Sequence, residues 1–229
     1  SPRPDAELPD HYKRSGIAAE SEYGYERFDP RFDVAETPAE PLRAGYIVEI
    51  DPADPASVPV KRTALGRFKH ENAALTLAAD GRVVVYMGDD ERGEFIYRYV
   101  SEAPWVEGGN PEGLLDRGTL SVARFTPDGR GEWLALTPEA TGMSLPEILI
   151  LTRIAASKLG ATTMDRPEWV AVNQLAPEAY CCLTNNSRRK PGATNAGGDP
   201  MEPVEGSPNP RAANAYGQIV RWRPEGGDH

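Results

Sequence analysis

Cysteine and histidine are scarce in this 229-residue chain. The two cysteines, Cys181 and Cys182, are adjacent, and a bridge between neighbours would close a strained ring, so a disulfide framework is excluded. The three histidines, His11, His70 and His229, form no pair at metal-binding spacing, which argues against a zinc site built on His and Cys. No apolar run is long enough to span a bilayer, and the opening "SPRPDAELPDHYKR" has no apolar core of a secretory signal. Basic residues are outnumbered, 25 Lys and Arg against 35 Asp and Glu, for a net charge of −10. Such a chain repels nucleic acid and anionic membranes unless bound cations reverse the field locally. A nucleophile elbow, a Walker loop and a dinucleotide fingerprint are absent too.

What is abundant is punctuation. Gly and Pro number 22 each, which favours many turns over long helices. Residues 1–44 are polar and proline-rich, with Tyr23, Tyr25, Phe28 and Phe32 spaced along them, and read as an extended polar arm that packs by its aromatics. From residue 45 onward, short β-branched runs recur. "GYIVEIDP" and "VPVKRTAL" are strand-like. "NAALTLAADGRVVVYMGDD" places two strands around Ala79-Asp80-Gly81, a hairpin signal, and "GTLSVARFTPDGRGEWLAL" repeats the plan around Pro127-Asp128-Gly129. "GEFIYRYV", "WVAV", "AYCCL" and "YGQIVRW" complete nine or ten strands. One helix interrupts them from Ser144, with Glu147 at capping-box spacing and Gly160 as the stop. Its apolar face is Ile148, Leu149, Thr152, Ala155, Ala156 and Leu159. Without a parallel βαβ rhythm, the pattern predicts an all-β fold: sandwich, barrel or propeller.

Oxygen-bearing side chains cluster in the loops. "KHENA" carries Glu71 and Asn72 just before a strand, and "GDD" carries Asp89 and Asp90 just after one. "MDRPEW" holds Asp165, Arg166 and Glu168, stiffened by Pro167. "LTNNSRR" adds Asn185 and Asn186, and "NPRAANAYG" adds Asn209, Arg211 and Asn214. Carboxylate and amide oxygens suit hard cations such as calcium, magnesium or ferric iron, and an arginine among them suits a phosphate. The plainer alternatives are a turn at GDD, a capped turn at Asn185-Asn186, and a surface ion pair between Arg166 and Asp165 or Glu168. His70 reads as a packing residue, or one that stands behind the ligands, rather than a ligand, and both cysteines as buried and inert in an apolar strand.

Seven segments in order carry a resemblance: "EPLRAGYIVEIDP", "KRTALGRFKHENA", "YMGDDERGEFIYRYVS", "LLDRGTLSVARF", "GATTMDRPEW", "LTNNSRR" and "NPRAANAYGQIVRW". Together, from about Tyr23 to Trp222, the chain resembles the later part of the PhoX-type bacterial alkaline phosphatases. The resemblance implies a β-propeller, a periplasmic or secreted location reached by twin-arginine export, and hydrolysis of small-molecule phosphomonoesters with calcium and iron. It implies Glu71 and Glu168 as metal ligands and Arg166 as the phosphate-binding group. Asp89 or Asp90, and Asn209, are its further ligands. The family's iron-binding cysteine has no counterpart here, and Cys181-Cys182 stand in another context. The expectation is therefore an all-β partial propeller over residues 45–229 with one inserted helix. It could close by pairing with another chain or stay a partial shell. The alternative is a non-catalytic calcium-binding propeller fragment.

Overall fold

The computed structural model describes residues 8–109 and 113–229. The chain divides after Gly45 into two compact units. The first unit departs from an extended arm. Its described residues form a short helix, α1 (Asp10–Arg14), and three 3-10 turns at 25–27, 30–32 and 40–43. Leu8, Tyr12 and Ala19 make a small buried cluster with Ile17, Val34 and Leu42 around it. The aromatics do not bury themselves. Tyr23, Tyr25, Phe28 and Phe32 stay exposed, because turns of three or four residues offer no face long enough to cover a ring. The first seven residues of the expected arm lie outside the described residues.

The second unit, from Tyr46, is mostly antiparallel sheet. Strands β1 (Ile47–Glu49) and β2 (Val60–Arg62) form a two-stranded ribbon. Strands β3 (Ala74–Leu77), β4 (Arg82–Gly88), β5 (Ile96–Pro104), β6 (Gly118–Phe125) and β7 (Gly131–Ala135) form a five-stranded meander in sequence order. Strands β8 (Pro167–Val172), β9 (Ala179–Leu183) and β10 (Gln218–Trp222) make a third sheet with β9 in the middle. Both expected hairpins are present, and Gly81 and Gly129 take the left-handed backbone that their turns require.

The β4 run VVVYM is buried throughout because the five-stranded sheet is covered on both faces. Val83, Val85 and Met87 point with Tyr97, Tyr99 and Val122 toward a helical layer that supplies Ile148, Ala155 and Ala156. Val84 and Tyr86, one residue out of phase, point with Ile96 and Ala123 toward Val170, Ala179, Cys181 and Leu183 of the third sheet. Each fully buried side chain of this size stabilises the fold by about 1.5–3 kcal/mol before entropy is charged against it.

The single expected helix is two. Helices α3 (Leu145–Ile150) and α4 (Thr152–Lys158) meet at Leu151, whose φ of −109° and ψ of 43° are not helical, and a one-turn α2 (Pro138–Thr141) precedes them. The expected start holds: Glu147 Oε2 accepts from both the Ser144 N–H and its hydroxyl. The break falls where the Thr152 hydroxyl bonds back to the carbonyls of Ile148 and Leu149 and accepts the Arg67 N–H, drawing the backbone out of register. No helix among the described residues is long and apolar enough to cross a membrane.

Strand alternation also corrects the reading of the cysteines. Adjacent residues of β9 face opposite ways, so Cys181 is buried, its thiol pushed up by desolvation, while Cys182 is exposed.

Candidate functional site

The loops that carry Glu71, Asp90 and Arg166 are laced to one another by backbone hydrogen bonds. Asp90 N–H donates to Lys69 O at 3.0 Å, Gly93 N–H to Met164 O at 2.9 Å, and Met164 N–H to Glu94 O at 2.9 Å. Isolated antiparallel bridges join His70 to Asp89 and Arg92 to Asp165. Asn72 binds the Val170 backbone through both its amide oxygen and nitrogen, at 2.9 and 2.8 Å, which pins KHENA to β8. At Gly88 the approach is so close that a Cβ would lie 2.5 Å from Glu168 O and 2.6 Å from Pro167 O. Only glycine lets β4 pass under the MDRPEW segment.

Arg166 sits where these loops meet. Its backbone has φ of +56°, a conformation that non-glycine residues rarely take. Its Nε and Nη2 donate to Asp90 Oδ1 and Oδ2 at 2.9 Å each, and Nη2 also donates to Glu168 Oε1 at 3.2 Å. The pairing with Asp90 is the main cause that raises the Arg166 pKa, so the guanidinium stays charged. Its side chain is a quarter exposed, and Nη1 has no partner among the described residues. Glu71 lies in the same field. Desolvation first, then the charges of Asp90 and Glu168, lift its pKa above the ordinary value, and Arg166 pulls the other way.

Four of the six residues to which the resemblance gives a site role are thus together: Glu71, Asp90, Arg166 and Glu168. The other two are elsewhere. Asp89 is fully buried and both its oxygens are taken by the fork of Arg153, at 2.6 and 2.7 Å. Of the Asp89/Asp90 alternatives, Asp90 is the one at Arg166. Asn209 is also buried; its amide donates to Thr163 O at 3.0 Å and its Oδ1 has no partner among the described residues. Asp165 does not pair with Arg166 either; it is held from behind by Arg189. His70 behaves as a packing residue, stacked on Phe68 at 3.7 Å with Nε2 against Gly66 O, and burial pushes its pKa down to about 4. A cleft of about 900 Å³ lined by Arg98, Phe125, Trp133, Ile219 and Trp222 lies apart from this cluster and includes none of the six.

The sequence reading missed Arg153 and Arg189. A signal existed for the first: Arg153 falls four residues after Leu149 and three before Ala156, inside the apolar stripe, where a charge needs a buried partner. Arg189 ends the LTNNSRR segment, which drew notice only for its asparagines, and carried no such signal.

Three carboxylates around one arginine offer hard oxygens to a cation and a charged donor to an oxyanion. Asp90 is committed to Arg166, so Glu71 and Glu168 are the freer donors. Among the described residues no three His, Cys, Asp or Glu side chains gather into a group able to hold a metal ion. The donors present fit part of a coordination shell.

The molecule is therefore an antiparallel β protein whose loops present a restrained arginine among carboxylates. The family described as alkaline phosphatase PhoX matches residues 3–229, and the chain belongs to that family. It is similar to the structure of Pseudomonas fluorescens PhoX in complex with vanadate, a transition state analogue, with 48% identity and a TM-score of 0.87. That similarity covers 97% of this chain and 40% of the Pseudomonas chain, so the chain spans well under half of that neighbour's length. No curated protein matches it.

Proposed function

We propose that this chain supplies the phosphate-binding arginine and part of the carboxylate shell of a phosphomonoesterase. The observation that carries the reading is the state of Arg166. Its fork is fixed by Asp90 and Glu168, and its Nη1 has no partner among the described residues. A phosphoryl group in transfer spreads negative charge over its equatorial oxygens, and a donor already oriented meets that charge without reorganising. Vanadate, found in the Pseudomonas neighbour, imitates such a group. Asp90 keeps the guanidinium charged and aimed, and Glu168 restrains its other edge. Glu71 and Glu168 are the residues that would hold a hard cation, with calcium and iron as the proposed ions. Such ions, when bound, neutralise phosphoryl charge and polarise its oxygens.

The reading includes a β-propeller. Two antiparallel meanders, β3–β7 and β8–β10, pack face to face across Val84, Tyr86, Val170 and Cys181, as stacked blades would. Further blades would come from a longer chain or from another chain. A periplasmic or secreted location belongs to the same reading; fractionation of source cells checks it.

The test is elemental analysis of the purified protein together with hydrolysis of p-nitrophenyl phosphate in added calcium. Arg166→Ala and Glu168→Gln are expected to lower kcat/KM by roughly 10²–10³. Wild-type rates in both variants would refute the assignment. A second reading, a non-catalytic calcium-binding propeller fragment, is favoured by the commitment of both Asp90 oxygens to Arg166, which leaves few free ligands. Calcium with a raised melting temperature and no turnover would decide for it.

A further inference from the structure

Two buried arginines stand behind the loops that meet at Arg166. The side chain of Arg153, on α4, is 6% exposed, and its Nε and Nη2 donate to Asp89 Oδ2 and Oδ1 at 2.7 and 2.6 Å. Arg189 is 2% exposed and uses all three nitrogens: Nε donates to Asp165 Oδ1 at 2.5 Å, Nη1 to Glu202 O and Nη2 to Thr163 O, each at 2.9 Å. Asp165 Oδ2 accepts from Asn214 Nδ2 at 3.2 Å. The loops bearing Arg189 and Asn214 are joined in turn, Asn186 N–H to Asn214 O at 2.7 Å and Ala213 N–H to Arg189 O at 2.8 Å.

The two arrangements repeat one plan. In each loop an acid turns inward to a buried arginine, and the very next residue turns outward to the site: Asp89 then Asp90, Asp165 then Arg166. Three ion pairs in series, Arg153–Asp89, Asp90–Arg166 and Asp165–Arg189, are linked by two peptide bonds. The left-handed backbone of Arg166 is held within this series. Its own carbonyl accepts the Thr184 N–H at 3.3 Å, Asp165 is clamped on one side, and Pro167 is pressed against Gly88 on the other. Such a conformation persists where its surroundings over-determine it.

We propose that Arg153 and Arg189 are positioning residues for Arg166. They touch no ligand; through Asp89 and Asp165 they fix the direction in which Asp90 and Arg166 point. The inference rests on the reading of Arg166 as the anion-binding group, and the test separates the two.

Phosphate and vanadate affinities are measured on the purified holoprotein by titration calorimetry for Arg166→Ala, Arg153→Lys, Arg189→Lys, and each lysine variant combined with Arg166→Ala. Lysine keeps the charge and loses the fork. Each lysine variant alone is expected to weaken phosphate binding roughly tenfold and to add nothing once Arg166 is gone, because residues acting through one group are not additive. Lysine variants that bind as wild type while Arg166→Ala does not would overturn the inference and leave the reading of Arg166 standing. The same loss with and without Arg166 would overturn it too, marking a general structural role. Wild-type binding by Arg166→Ala would sink the reading itself and the inference with it. Where a lysine variant does not fold, Asn214→Ala, which removes one contact to Asp165, replaces it on the Arg189 side. Lys69→Ala, which removes the ion pair with Glu91 but keeps the backbone N–H that donates to Asp89, serves as the control for Arg153 and is expected to bind phosphate as wild type; a tenfold loss there would oppose the inference. For Asn214→Ala a loss of roughly threefold that vanishes in the Arg166→Ala background supports the inference, and an unchanged affinity opposes it.

Discussion

The inner and outer sides of the same two loops follow different rules. Inside, Asp89 and Asp165 are wholly buried and every oxygen is matched by an arginine or amide donor. Outside, one residue further on, Asp90 and Arg166 pair at 2.9 Å yet remain in partial contact with solvent. A buried pair broken on one side leaves a stranded charge, whereas a solvated pair loses little when it breaks. The inner pairs therefore set the structure, and the outer pair, aimed by them, stays within reach of a ligand.

The largest expected effect sharpens that contrast. Asp165→Ala strands Arg189 and should destabilise the fold by about 3–5 kcal/mol. Asp90→Ala should cost about 0–1 kcal/mol. Urea unfolding of the two variants compares them directly, and equal losses would erase the distinction between inner and outer pairs. Next in size is Gly88→Ala, which sets a methyl group against two carbonyls of the MDRPEW segment. Overpacking there should cost about 1–3 kcal/mol and weaken phosphate binding, measured by the same unfolding curves and by calorimetry. Unchanged binding in a destabilised Gly88→Ala protein would show that the site tolerates a displaced loop.

A smaller effect comes from the far side of the third sheet. Hydrogen bonds from Tyr180, then Arg223 and Asn173, lower the Glu178 pKa from 4.5 to about 2. A carboxylate depressed in the folded state stabilises above its unfolded pKa and loses that contribution as pH falls. Stability should therefore decline between about pH 4.5 and 2, and Glu178→Gln should flatten part of that slope in acid melting curves. The smallest effect leaves stability untouched. Iodoacetamide should label Cys182 in the native protein and Cys181 only after unfolding, as peptide mass mapping would report.

Much of the β architecture was legible because strand and turn signals are local. VVVYM between Gly81 and the GDD turn, and GTLSVARF before Pro127-Asp128-Gly129, are short apolar runs with turn chemistry at their ends, and they are β4 and β6. The break at Leu151 was not legible, because it depends on Thr152 accepting a hydrogen bond from Arg67, 85 positions away in the sequence. The same holds at the site. Glu71, Arg166 and Glu168 carried a reading from their residue types and their resemblance. That Asp90 faces Arg166 while Asp89 faces Arg153 is decided by contacts 76 and 64 residues apart in sequence. The small cluster of residues 8–45 escaped notice because Leu8, Ile17, Val34 and Leu42 follow no helical or strand period.

The most direct test of the central claim is a crystal structure of the holoprotein with vanadate. The account predicts a vanadate oxygen within hydrogen-bond distance of Arg166 Nη1, with the Asp90–Arg166 pair retained behind it. Vanadate bound away from Arg166, for example in the cleft of Phe125, Trp133 and Trp222, would contradict it.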